Sequence, residues 1–124
     1  MSGKSTGGSA VKRKVLVSDA EKRALDRFRE SLLKIFGKRL KSFILFGSRA
    51  RGEGTPESDL DVLLVIKNLA RGEKNRVFEN SAEISLEEGV VLSTVIFDEI
   101  EYESQREFPF LSTVEAEGYM YDLG

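Results

Sequence analysis

Apolar residues along these 124 positions fall into two patterns, a helical recurrence and short crowded runs, and the alternation between them predicts the elements. Ser18-Asp19-Ala20-Glu21 forms a capping box, and Leu25, Phe28, Leu32 and Ile35 follow at helical spacing. That amphipathic helix closes at Gly37, a residue free to take the left-handed conformation. The run from Leu40 to Phe46 reads as a strand leading directly into Gly47. A second strand carries Leu60, Val62, Leu64 and Ile66 on one side and Leu63 and Val65 on the other, so both faces are buried. A helix over Glu73 to Glu88 is marked by Phe78, Ala82 and Leu86 at four-residue steps, and Gly89 stops it. Val90 to Phe97 is a third strand, Asp98 to Glu107 an acidic helical stretch, and Phe108-Pro109 interrupts it. Phe110 to Glu117 continues as helix, and Tyr119 to Tyr121 forms a short closing strand or docking segment. The order predicts an α+β fold, a small mixed β-sheet flanked by helices.

The chemistry gathers between Leu45 and Ile66. Gly47 and Ser48 follow one strand, and after ten further residues Asp59 and Asp61 open the next. Glycine after a strand permits a sharp turn and close backbone approach. Ser48 is expected to cap a short helix, so that a hydroxyl, free backbone N–H groups and the positive end of a helix dipole make an anion site, with Arg49 and Arg51 adding charge. Gly52, Gly54 and Pro56 mark the returning loop. Residues two apart on a strand, at ~6.6 Å, project to the same side, which aligns Asp59 with Asp61. At ~5.5 Å and an effective dielectric of ~20, such a pair repels by roughly 3 kcal/mol. A bound divalent cation would reverse that sign.

Composition narrows the options. The chain contains no cysteine and no histidine, which excludes a disulfide framework, a thiolate or imidazole zinc site, a Ser-His-Asp triad and a cysteine nucleophile. Any metal must be held by oxygen, which suits magnesium, manganese or calcium. With 40% hydrophobic and 32% charged residues the chain reads as one globular domain, 18–124, behind a basic Gly/Ser/Lys-rich leader, 1–17. Gly3-Lys4-Ser5 within the leader lacks the preceding glycine and strand of a P-loop. No apolar run is long enough to cross a bilayer and no secretory signal is present, so the expected location is cytoplasmic, without membrane association. Net charge is −2, but residues 1–82 hold 18 basic against 10 acidic side chains, and residues 83–124 hold 1 against 11. A basic side is expected to attract phosphates, with nucleic acid as a lower-ranked partner.

Gly47-Ser48, ten residues, then Asp59-Leu60-Asp61, within GSRARG and SDLDVLLV, resembles the signature of the minimal nucleotidyltransferases, small relatives of the DNA polymerase beta superfamily. The resemblance implies a polymerase-beta-like nucleotidyltransferase fold. It also implies transfer of a nucleoside monophosphate, AMP from ATP, to an acceptor hydroxyl with release of pyrophosphate. By position, Gly47, Ser48 and Arg49 would bind the nucleotide, and Asp59 and Asp61 would be catalytic and hold Mg2+, with Mn2+ as a substitute. Members of this size are often paired, as antitoxins in toxin–antitoxin systems, with a small helical HEPN protein, some transferring AMP onto it. A protein acceptor of that kind is the expected partner.

One departure from the family pattern bears on activity. Active members place a third carboxylate on the following strand, whereas GVVLSTVIF carries no acid from Gly89 to Phe97. Glu87, Glu88 and Asp98 flank it as weak candidates. The alternative reading is therefore a catalytically weak or inactive nucleotide-binding antitoxin that masks a partner.

Overall fold

The computed structural model describes residues 17–50 and 59–121, apart from the side chain of Ser48. The leader up to residue 16, Arg51 and the loop glycines and proline at 52, 54 and 56 therefore lie outside the described residues, as does the expected role of the Ser48 hydroxyl. The first helix, α1 (Asp19–Phe36), opens on the capping box: Ser18 Oγ accepts from the Glu21 N–H, and the Glu21 carboxylate accepts from the Ser18 N–H. A short 3-10 turn, Gly37–Arg39, leads into strand β1 (Leu40–Phe46), and β1 leads into the one-turn helix α2 (Gly47–Ala50). Strand β2 (Leu60–Ile66), helix α3 (Glu73–Glu88), strand β3 (Leu92–Asp98), helices α4 (Glu99–Gln105) and α5 (Pro109–Glu117), and strand β4 (Tyr119–Met120) complete the order. Helix α2 begins on Gly47, so Ser48 lies inside its first turn instead of at its cap. Phe108 and Pro109 do more than break a helix, since Phe108 is the cap and Pro109 the first residue of α5. Proline suits that position because its missing N–H is one a helix start leaves unpaired.

The four strands form one mixed sheet in the order β3-β2-β1-β4. β1 runs antiparallel to both β2 and β4, and β2 runs parallel to β3. Both faces are covered, as the alternation in β2 requires. Leu60, Val62, Leu64 and Ile66 join Leu25, Phe28 and Leu32 of α1 and Val77 and Ile84 of α3 in the larger core. Leu63 and Val65 pack on the other side with Tyr102 of α4 and Leu111 and Val114 of α5. Helices α1 and α3 are joined at their rims by charge: Arg23 and Arg27 pair with Glu88 at 3.2 and 3.1 Å. Among the described residues no helix is long and apolar enough to cross a membrane.

Helix α3 corrects one expectation. Its bounds match the sequence pattern, but the stripe of Phe78, Ala82 and Leu86 faces solvent, with Leu86 85% exposed. The buried face is Val77, Ser81 and Ile84. Both stripes have helical spacing, and the polar Ser81 disguised the true one; Ser81 Oγ lies 3.4 Å from Thr94 Oγ1, a partner that makes its burial tolerable. Ile84→Ala should accordingly cost about 2–5 kcal/mol, and Leu86→Ala less than about 0.5 kcal/mol. Paired urea melts check this, and equal losses would contradict the orientation.

Candidate active site

The end of β1 and the start of β2 meet side by side, and the register makes Phe46 the partner of Asp61. The chain leaves β1 through Gly47 at φ +80°, a conformation that side chains with a Cβ rarely adopt. A Cβ at this position would also overlap the Asp61 carboxylate, so the backbone of the turn rests directly on that acid. Two features separated in the sequence, the glycine and the second aspartate, are thus in contact. Gly47→Ala should lower activity by at least about 100-fold, because strain at φ > 0 and displacement of Asp61 act together. Steady-state rates beside a melting curve test this; an active alanine variant would show that the close approach is dispensable.

Asp59 is exposed just ahead of β2, while Asp61 is half-buried within it. Burial pushes the Asp61 carboxyl above its ordinary range, and the charge of Asp59 pushes it in the same direction, while a hydrogen bond with Ser93 opposes both. Two carboxylates near enough for the charge of one to act on the other, with the Ser93 hydroxyl hydrogen-bonded to Asp61, form an oxygen donor set that fits a hard divalent cation, whose charge would remove the repulsion.

Ser93 was not anticipated. Parallel pairing sets it directly beside Asp61, and its hydroxyl stands on the strand from which the family's third carboxylate would project. A signal was present, because Ser93 is the first polar residue of that strand; using it required the β2–β3 register. The three flanking acids are engaged elsewhere. Glu87 and Glu88 pair with Arg27 of α1. Asp98 sits beside Ile66, at the far end of the sheet, where it caps α4 and accepts from the Leu69 N–H at 2.9 Å. Among the described residues no group of three acids is gathered as a metal cluster.

Arg49 is held inside the protein, only 6% exposed. Its guanidinium donates to both oxygens of Glu21 at 2.9 and 2.7 Å, a fork-to-fork pair that ties α2 to the first turn of α1. Those hydrogen bonds hold the Glu21 carboxyl below its ordinary value against the effect of burial. Glu21 thus does two things, completing the cap of α1 and anchoring the turn that bears Gly47.

A family model described as the nucleotidyltransferase domain matches residues 25–114, a span containing the turn, both aspartates and the sheet. The chain belongs to the nucleotidyltransferase domain family. It is accordingly a nucleotidyltransferase, and the family works on nucleoside triphosphates with a divalent metal. Two relatives from Methanocaldococcus jannaschii, each provisionally named protein adenylyltransferase, agree. One is 32% identical over 98 residues, covering 79% of this chain and 94% of the relative. The other is 32% identical over 74 residues, covering 59% of this chain and 75% of its own length. A crystal structure from Sulfolobus solfataricus, provisionally assigned as a nucleotidyltransferase, aligns with 94% of this chain and 88% of that one, at 20% identity and a TM-score of 0.47.

Proposed function

We propose that this nucleotidyltransferase transfers AMP from ATP to a hydroxyl on a protein partner in the cytoplasm. The observation that carries the reading is the contact between the Gly47 turn and Asp61, which joins the glycine turn to the second of the paired carboxylates. Gly47 and Ser48 would bind the β- and γ-phosphates at the start of α2, since a helix start leaves backbone N–H groups without intrahelical acceptors. Arg49 would act through its position, fixing the turn from beneath by way of Glu21. Asp59 and Asp61 would hold magnesium, with manganese as a substitute. That metal, when bound, neutralises phosphate charge and lowers the pKa of an acceptor hydroxyl. The acceptor oxygen bonds to the α-phosphorus, the bond from that phosphorus to the β-phosphate bridge breaks, pyrophosphate leaves and the acceptor proton passes to solvent. Ser93 would steady Asp61 without adding charge. The relatives' names support a protein acceptor, and a small helical protein of the HEPN type is the proposed partner.

Label from α-labelled ATP should appear on the partner in the presence of magnesium and disappear with Asp59→Asn. No transfer to partner or lysate at saturating magnesium would overturn the enzymatic reading. The serine beside Asp61 favours a second reading, a weakly catalytic antitoxin that masks its partner. Under that reading the Asp59→Asn, Asp61→Asn double variant still binds and neutralises the partner; under the first it binds without protecting.

A further inference from the structure

On the α5 side of Gly47 lies a second feature, a pocket of about 210 Å3 lined by Phe46, Gly47, Phe110, Thr113, Val114 and Glu117. We propose that this pocket is the nucleobase subsite, taking a purine ring. The inference rests on the nucleotidyltransferase reading of the Gly47–Asp61 site and deepens it. Three observations lead to it.

The first is continuity. Gly47 is shared: one side of it rests on the Asp61 carboxylate and another lines the pocket. Phe46 is the cross-strand partner of Asp61, so its ring and the acid stand on the same face of the sheet. The pocket therefore borders the turn proposed to hold the phosphates, on the face of the sheet that carries Asp61.

The second is size and surface. Drug-sized ligands occupy about 300–1,000 Å3, so this volume suits one planar ring system, with sugar and phosphates outside. The walls are almost wholly apolar, unlike the charged ground around Arg49, Asp59 and Asp61. Such walls reject phosphate and accept an aromatic face.

The third is the aromatic pair. Phe46 and Phe110 meet edge to face, with centroids 5.6 Å apart and planes at 81°. Phe110 nevertheless remains 46% exposed. Locking against Phe46 orients the ring, and its open area offers a stacking platform. Phe110, Thr113 and Glu117 share one face of α5, at steps of three and four residues. Leu111 and Val114 anchor that helix in the core, so the platform is rigid. A purine stacks more area than a pyrimidine and gains more from such a platform.

Titration of the 124-residue chain with ATP, UTP and inorganic tripolyphosphate, each with magnesium, separates the base subsite from the phosphate and metal site. The wild type should bind ATP at least about tenfold more tightly than tripolyphosphate, with UTP between them. Phe110→Ala should weaken ATP by about tenfold or more and leave tripolyphosphate unchanged. Thr113→Phe, at an exposed position where folding is not at stake, should fill the pocket and bring ATP down to the tripolyphosphate level. Equal binding of ATP and tripolyphosphate by the wild type would overturn the subsite while leaving the phosphate and metal site standing, as would an unaltered ATP affinity in both variants. Failure of the wild type to bind any of the three would overturn the site reading itself, and the subsite with it.

Discussion

Asp61→Asn is expected to reduce nucleotidyl transfer by about 1,000-fold or more while leaving the melting temperature unchanged or raised. The size follows from the task proposed for this carboxylate. A transferred phosphoryl group offers little covalent work to the protein, so nearly all acceleration comes from positioning and charge neutralisation. Ser93, and not an acid, stands beside Asp61 on β3, and the strand's one acid, Asp98, lies at the far end beside Ile66. The unusual part of the prediction is stability. Asp61 is half-buried next to Asp59, and both burial and repulsion disfavour its charge. Asparagine is nearly the same size, can still bond to Ser93 and removes the repulsion. Single-turnover transfer measured beside thermal melts, each with and without magnesium, gives the check. Magnesium should raise the melting temperature of the wild type and not of the variant. A variant that loses activity only because it unfolds would contradict this account, as would one that retains most of its rate.

The Glu21–Arg49 pair should give the opposite profile. Both side chains are more than nine-tenths buried, and removing one partner leaves the other charge short of compensation. Glu21→Ala is expected to cost about 3–5 kcal/mol, a large share of the ~5–15 kcal/mol that holds a domain of this size together. Loss of the α1 capping box adds to it. Glu21→Gln, which can keep one hydrogen bond to Arg49, should cost less and leave a folded protein in which the Gly47 turn is loosened. Its transfer rate should then fall by about tenfold although Glu21 lies outside the pocket and the metal-binding acids. The pair also sets an acid limit. Because Arg49 holds the Glu21 carboxyl below its ordinary value of 4.5, the pair's contribution is complete above that pH and is lost as pH falls through the lowered folded value. Melting temperature against pH should show an acid decline in the wild type that is shallower in Glu21→Gln. Coincident curves would remove Glu21 from the account.

Much of this molecule could be read from local pattern alone. The capping box at Ser18, the bounds of the helix over Glu73–Glu88 and the two-faced strand after Asp61 are short-range effects, set by hydrogen bonds and side-chain alternation within a few residues. The turn and the paired acids carried the resemblance to the family for the same reason, since motif spacing is written in one dimension. Which stripe of α3 would be buried was decided elsewhere, by the sheet surface that accepted Val77 and Ile84 and by Thr94 meeting Ser81. Arg49 offered the same ambiguity. A guanidinium beside a phosphate-type turn suits an anion ligand as well as a buried pair, and only the arrival of Glu21, 28 residues earlier in the chain, directs it inward.

By itself, then, the sequence determined the elements and the mixed sheet, which depend on propensity and periodicity, and pointed to the family through the resemblance of one spaced motif. Tertiary structure alone decided that Gly47 rests on Asp61, that Ser93 is the acid's neighbour, that Arg49 pairs with Glu21 and that a ring-sized pocket opens beside the turn. Each of these is a contact between distant residues. Such contacts are fixed by strand register and helix packing, in which many weak interactions agree on one arrangement and no single stretch of chain contains the information.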